Sequence, residues 1–339
     1  MSDLFSNKRF LSKPGIQFDF GEKKWGVLFL NRGGPESADE VEEYLYNLYS
    51  DPNVKDRPLS ILLQKPLAKI LSSKSSEKIA RQYDEIGGSP LLRWTRLIAS
   101  NVRRDLGKKY PQADIFAGMR YSEPTIPEEL DAAIDEGCRH IILFSMYPHF
   151  SEATTGAILE PVGEWLKDFE GELTVSLIDR WSERAEYIKL LRKHIEDAME
   201  NIDLKKPYKL LFIAHGATQD MIDSNDNYLT NLSQTAESVG DGYDFSLTFQ
   251  PHNENDDIVE PDAGKIIREL AQQNIEQIVI APISFVSDHF GTLYNIDIQL
   301  SQIAAEAGIK TFIRTESFND NVSLAAFIGD LIEEKIDSK

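Results

Sequence analysis

Eight short, almost unbroken apolar runs restrict what this chain can fold into. They lie at Trp25–Asn31, Asp114–Met119, His140–Met146, Leu173–Ile178, Tyr208–Ala214, Asp244–Phe249, Gln277–Ile283 and Thr311–Arg314. A strand with one wet face alternates apolar and polar residues. A continuous run needs cover on both faces, as in a parallel sheet flanked by helices. Between the runs, apolar residues return at helical spacing over Ile126–Glu136, Glu183–Asn201, Ala263–Gln273 and Val322–Ile336. Alternating strand and helix predicts an α/β fold with right-handed crossovers.

The runs divide four and four near Asp203–Pro207. The expected organisation is an N-terminal extension (1–24), a first Rossmann-like half (25–180), a connecting helix (181–206) and a second Rossmann-like half (207–339). HIILFSMYPHFSEAT and QIVIAPISFVSDHFG echo each other, each an apolar run followed by a loop with Ser and an acid. The echo reflects either duplication or only what any two buried strands share. Under duplication, two doubly wound parallel-sheet halves face a cleft lined by strand C-termini, where such folds hold ligands. One connection is abnormally long: over fifty residues separate the first run from the Ile86–Pro90 turn. Its excursion, 36–85, reads either as a pair of packed helices or as a lip offering apolar surface to a flat ligand.

Composition serves to exclude. The chain has 36 Lys+Arg against 56 Asp+Glu, a net charge of −20, which argues against a nucleic-acid partner and against permanent residence on an anionic membrane. No run approaches the roughly 18 apolar residues of a transmembrane helix, so no transmembrane segment is expected. The first residues lack a signal-peptide core. Cys138 is the sole cysteine, which excludes an internal disulfide framework and an iron–sulfur cluster. A reduced cytoplasmic protein is expected, with monomer or homodimer left open.

The polar clusters follow the strands. Asn31-Arg32-Gly33-Gly34-Pro35 closes the first run without a dinucleotide or Walker pattern. In Ile86-Gly87-Gly88-Ser89-Pro90-Leu91, Ser89 reads as an N-cap and Pro90 as the first helical residue. Of six histidines, His140 and His194 read as structural, whereas His149, His215, His252 and His289 fall in loops after strands. Any one of these alone reads as a structural histidine; four together favour a cleft that handles protons or contacts a metal. There is no HExxH and no Cys/His zinc spacing, so no closed structural metal site is expected.

At these loops the chain resembles the ferrochelatase family, the enzymes that insert ferrous iron into a porphyrin, from about Trp25 to about Glu333. FLNRGGPES resembles the family's opening strand and loop, and YLYNLYSDPNV with YDEIGGSPLLRWT its lip and Gly-Gly-Ser-Pro turn. GMRYSEP matches its Met-Arg-Tyr-x-x-Pro segment. MYPHFSEATTG resembles its Tyr-Pro-Gln-Tyr-Ser-x-x-Thr-Thr-Gly loop, with His149 at the Gln. IAHG and PISFVSDHFGTLYNID resemble its Ser-Ala-His segment and C-terminal signature. The resemblance implies a chelatase-like fold, His215 as the catalytic histidine and metal contact, and Asp288 and His289 as the catalytic Asp-His pair. It implies porphyrin contacts from Asn31, Arg32, Gly33, Ser89, Pro90, Leu91, Met119, Arg120, Tyr121, Tyr147 and Thr154; His149 and His252, which the family pattern lacks, are further candidate metal ligands. Porphyrin or haem and a divalent metal would be the partners, with no obligatory cofactor.

Two departures carry chemistry. The family signature reads Asp-His-Ile-Glu-Thr-Leu-x-Glu-x-Asp, and here Gly291 and Asn295 stand at the two glutamates. The Phe-Gln-Ser-Arg-Val-Gly segment has become Phe249-Gln250-Pro251-His252-Asn253-Glu254. Glycine accepts no proton, and its presence removes a charge that would draw a cation and raise a neighbouring histidine's proton affinity. Asp288, Asp297 and Glu152 are the acids that could substitute. Three readings follow: a working ferrochelatase with rearranged acid–base groups, an impaired paralogue that binds porphyrin, haem or metal, and a chelatase for another metal or tetrapyrrole.

Overall fold

The computed structural model describes residues 19–51, 61–216, 227–250 and 261–338. Among these, eight strands form two parallel sheets. The first holds β1 (Trp25–Asn31), β2 (Ala113–Met119), β3 (His140–Ser145) and β4 (Thr174–Ile178), in the order β2-β1-β3-β4. The second holds β5 (Tyr208–Ala214), β6 (Phe245–Phe249), β7 (Gln277–Pro282) and β8 (Thr311–Arg314), in the order β6-β5-β7-β8. Second, first, third, fourth is the order in both halves, so the repeat suggested by the sequence exists as topology. Every strand end lies within one residue of its predicted run.

The apolar runs are continuous because each sheet is covered on both faces. On β1, Trp25, Val27 and Phe29 face a central core, while Leu28 and Leu30 face an outer layer with Ile126, Leu130 and Ile158. On β5, Leu210 and Phe212 join that same central core, while Leu211 and Ile213 face their own outer layer with Ile267, Ile296 and Leu300. One apolar interior therefore unites the two halves, and Trp181, Tyr187 and Phe327 lie within it.

The covering helices are α1 (Val41–Ser50), α2 (Ile61–Ile86), α3 (Leu91–Lys109), α4 (Ile126–Asp135) and α5 (Ala157–Asp168) in the first half. Then come α6 (Ala185–Met199), α7 (Tyr228–Gly240), α8 (Ala263–Gln272), α9 (Ser301–Ala307) and α10 (Val322–Asp337). Helix α4 opens with a capping box, Thr125 and Glu128 satisfying each other's backbone N–H groups. Helix α3 starts one residue later than predicted. Pro90 takes the N-cap position, and the Ser89 hydroxyl accepts from the Leu91 N–H at 3.4 Å. Helix α10 returns to the first half and packs on α3, with Lys109 ion-paired to Glu333 at 2.6 Å.

The long excursion forms α1 and α2, which pack on each other and reach across to the second half. Tyr83 lies 4.8 Å from the Phe290 ring centroid, and Gln82 donates to the Tyr294 hydroxyl at 3.1 Å. Among the described residues no helix is long and apolar enough to cross a membrane.

Candidate active site

Loops at the strand C-termini and the two excursion helices enclose a cavity of about 710 Å³. Of the residues singled out in the sequence, Asn31, Arg32 and Gly33 line it from the end of β1, Ser89 and Leu91 from the start of α3, and Tyr121, Tyr147 and Thr154 from the remaining first-half loops. His215, His289, Gly291 and Asn295 line it from the second half. Tyr44, Tyr83 and Phe285 also line the wall and were not singled out. Each lies in a segment quoted above: Tyr44 in the tyrosine-rich excursion, Tyr83 at the start of YDEIGGSPLLRWT and Phe285 in PISFVSDHFGTLYNID.

Each loop has a local reason for its shape. Gly33 has φ +79°, and a Cβ there would fall on the Ser122 hydroxyl and 2.9 Å from Met119 Cβ. Asn31 fixes the turn by donating to Thr95 Oγ1 at 3.0 Å while its Oδ1 accepts from the Arg32 N–H at 2.8 Å. In both halves the loop after the third strand re-enters helix through a π segment, Glu152–Gly156 and Gly291–Leu300. Counted from the first residue of β3 and of β7, Glu152 and His289 are both twelve residues on. Ser151 and Asp288, one residue earlier, each bond to the turn that follows: Ser151 Oγ accepts from the Thr154 N–H, and Asp288 Oδ1 from the Thr292 hydroxyl.

The two cavity histidines are held alike. His215 Nδ1 lies 3.0 Å from the Gly216 carbonyl, and His289 Nδ1 lies 3.1 Å from the Ser287 carbonyl. A carbonyl can only accept, so Nδ1 carries the proton in each ring and Nε2 keeps its lone pair. Phe285 packs against both rings, at 6.2 Å from His215 and 4.2 Å from His289. Burial, reinforced by the Arg32 charge, holds His215 below the usual imidazole range. Burial also pushes His289 down to about 4, against the pull of its bond to Ser287. Both rings are therefore neutral bases at pH 7.

Several residues grouped with the site do not form its wall. Asp288 points away from the cavity, accepting from Ser317 Oγ (2.7 Å), Asn319 Nδ2 (2.9 Å) and Thr292 Oγ1, with Arg314 at 3.2 Å. Burial opposes its ionisation, but Arg314 and these donors outweigh burial and hold its carboxyl below the usual range. It anchors the loop that carries His289. Asp297 is clamped by the same Arg314, at 2.7 and 2.9 Å. Of the acids that could replace a glutamate at 291, only Glu152 lines the cavity. Met119 is buried under Gly33, and Pro90 caps α3. Arg120 is committed to Asp51 and Glu160, each at 2.8 Å. His149, expected as a metal ligand, turns inward instead: Nε2 lies 2.9 Å from Thr235 Oγ1, the ring is fully buried, and burial drives its pKa to about 3. His252 lies outside the described residues.

Gly291 is tightly packed. A Cβ built there would fall on Gln250 Nε2 and 2.7 Å from His289 Nε2. The Gln250 amide thus occupies the space into which a side chain at 291 would grow. Asn295, four residues on, is the next residue of that π-helical wall. Among the described residues no group of three or more His, Cys, Asp or Glu side chains could hold a metal ion by itself.

A family model described as Ferrochelatase matches residues 24–336, nearly the whole chain. The chain belongs to the ferrochelatase family. A ferrochelatase of Geobacter metallireducens is 33% identical over 316 residues, covering 92% of this chain and 98% of that one. Those of Synechococcus elongatus and Aquifex aeolicus are 31% and 30% identical, each over 92% of this chain. Among solved structures, SirB from Bacillus subtilis with Fe3+ aligns over 92% of this chain and 96% of that one, with a TM-score of 0.52 and 12% identity. That likeness places the fold among the chelatases. This family member brings two neutral imidazoles to one cavity and has Gly291 and Asn295 on the wall beside them.

Proposed function

We propose that this protein inserts ferrous iron into a porphyrin, using the His215 and His289 imidazoles as proton acceptors. Two pyrrolic N–H bonds break as the ring nitrogens bind the metal, and two protons leave the macrocycle. Pyrrolic N–H groups are far weaker acids than any side chain that receives their protons, so the protein must place a base on the proton's path. A positioned base contributes about 10²–10⁴-fold. The observation that carries this reading is that both histidines keep an unprotonated Nε2 while lining one cavity whose wall includes Tyr44, Tyr83, Tyr121 and Tyr147. Its volume, about 710 Å³, lies within the roughly 300–1,000 Å³ of cofactor-sized sites. His215 meets the incoming metal through Nε2 and takes up its proton there only after the metal has passed to the ring nitrogens, with Tyr121, Tyr147 and the β1 loop against the macrocycle. Iron and porphyrin are the substrates, and no resident cofactor is required.

One observation favours a second reading, a porphyrin- or haem-binding protein without turnover. The position of the family glutamate is occupied by Gly291, and the Gln250 amide beside it carries no charge. The deciding measurement is metal insertion by purified protein into protoporphyrin or coproporphyrin, with ferrous or zinc ion, under anaerobic conditions. Metalloporphyrin formed above the protein-free control, and lost in His215→Ala, supports insertion. Saturable porphyrin or haem binding without product supports the second reading.

A further inference from the structure

Asn319, in the loop between β8 and α10, has a backbone conformation that its local sequence does not call for. Two non-glycine residues among those described have positive φ, Asn274 at +63° and Asn319 at +50°. Asn274 follows the C-cap of α8, where a left-handed residue ends the helix. Asn319 ends no helix: it follows β8 and precedes α10, whose N-cap is Asn321. A left-handed residue with a side chain costs energy, and asparagine at such a place needs another reason.

The reason lies on the loop after β7. The Asn319 N–H donates to the Val286 carbonyl at 3.0 Å, and the Asp288 N–H donates to Asn319 Oδ1 at 2.8 Å. Asn319 Nδ2 donates to Asp288 Oδ2 at 2.9 Å. Both ends of the amide are assigned by their partners, since a backbone N–H can only donate and an ionised carboxylate only accept. These three bonds grip the residues on either side of Ser287, whose carbonyl holds His289 Nδ1. The grip has a firm base, because the adjacent Phe318 is buried in the central core with its ring 6.1 Å from that of Tyr187. A neutral imidazole can carry its proton on either nitrogen, and the hydrogen bond at one decides the state of the other. A carbonyl fixed at Nδ1 leaves a lone pair on Nε2. A carbonyl free to turn away lets the proton move to Nε2, which then accepts nothing.

We infer that Asn319 is a positioning residue for His289: by holding the backbone on both sides of Ser287, it selects the tautomer that keeps Nε2 a base. Asn319 itself does not line the cavity and acts only through the β7 loop. The inference rests on the proposed function in taking His289 as a proton acceptor, and it adds what keeps the ring able to accept.

The test reads the tautomer directly, from the imidazole nitrogen shifts of protein labelled with 15N-histidine at pH 7. The His289 ring is assigned as the signal lost in His289→Gln. Wild-type protein should show His289 in one form, protonated at Nδ1. Asn319→Gly adopts the same φ at no steric cost but loses both side-chain bonds. It should show both tautomers, and kcat for insertion should fall about three- to tenfold while KM for porphyrin stays within about twofold. Asn319→Asp sets one carboxylate against another and should do the same. Adding Asp288→Asn to it restores an amide facing a carboxylate with the roles exchanged. That double variant should recover the single form and most of kcat. Unchanged His289 signals in folded Asn319→Gly and Asn319→Asp overturn the inference, even where the unfolding midpoint drops, because a merely structural role would move stability alone. The signals need no turnover. Wild-type protein that inserts no metal therefore overturns the proposed function, while the same spectra still decide whether Asn319 sets the tautomer.

Discussion

The two halves share a strand order and a loop plan, yet they bring different chemistry to the cavity. The first half brings Arg32 in its tyrosine surround, Tyr147 and Thr154 on the β3 loop, and the excursion helices; under the proposed function these face the macrocycle. The second half brings the imidazoles of His215 and His289, which under the proposed function accept the protons. Equivalent positions make the division plain. Glu152 answers to His289, Thr154 to Gly291, and His149 to Val286. A repeated βαβ backbone thus fixes where side chains enter the cleft and leaves open what they do there.

The largest effect should come from removing a base from the second half. His215→Ala should lower the insertion rate about 10²–10⁴-fold while porphyrin affinity, governed by the first half, changes only a few-fold. A rate loss accompanied by an equal loss of binding would erase the distinction between the halves. Burial keeps His215 below the usual imidazole range and His289 near 4. The rate should therefore not fall near pH 6.5, where an exposed histidine titrates; the His289 contribution should decline only as the pH approaches about 4.

Next in size is the anchor of the His289 loop. Asp288 and Arg314 are both largely buried, and removing one partner of such a pair costs about 3–5 kcal/mol. Arg314→Met should show a loss of that order in denaturant unfolding. The equivalent first-half anchor is the neutral Ser151, and Ser151→Ala should cost only about 1 kcal/mol. Equal losses would show that the two loops are anchored alike despite their different chemistry.

These pairs show what was legible in the sequence. The strands were readable because each lies between two apolar layers, which writes burial into consecutive residues such as Val27 to Leu30. The places of His215 and His289 followed from their positions after strands and from the family likeness. The Arg314 clamp was not readable, because its partners at 288 and 297 meet it only when β7, the π helix and β8 come together. The contact between Gln250 and Gly291 is likewise made across two strands. Neighbouring loop residues can also face opposite ways: Tyr147 lines the cavity, while His149, two residues later, points into the interior.

That inward histidine gives a third test. Its folded pKa, about 3, lies below the 6.5 of an exposed imidazole. The unfolded chain therefore takes up a proton before the folded one does as pH falls. Stability from the neutral ring is complete above about 6.5 and declines toward pH 3, by roughly 1.4 kcal/mol per pH unit. His149→Val, which copies the second half's Val286, should remain folded at pH 7. It should lose less stability than wild type between pH 6.5 and 4.5. Parallel melting curves of the two proteins across that range would contradict this.

The smallest predicted effect probes Gly291. Glutamate placed there would give the second half the acid it lacks, yet its Cβ would meet the Gln250 amide and His289 Nε2. The Gln250 amide is the tip of a flexible side chain and can swing aside; the imidazole, held at Nδ1 by the Ser287 carbonyl, yields less readily. Gly291→Glu alone should therefore gain little, because the new side chain competes for occupied space and displaces the His289 imidazole. With Gln250→Ala added, the carboxylate has room and can stabilise a proton on His289, and insertion should rise about tenfold, equivalent to roughly 1.4 kcal/mol. A single variant as active as the double would show that crowding by Gln250 does not limit this position. No gain in either variant, with folding intact, would indicate that the imidazoles suffice without an acid at 291.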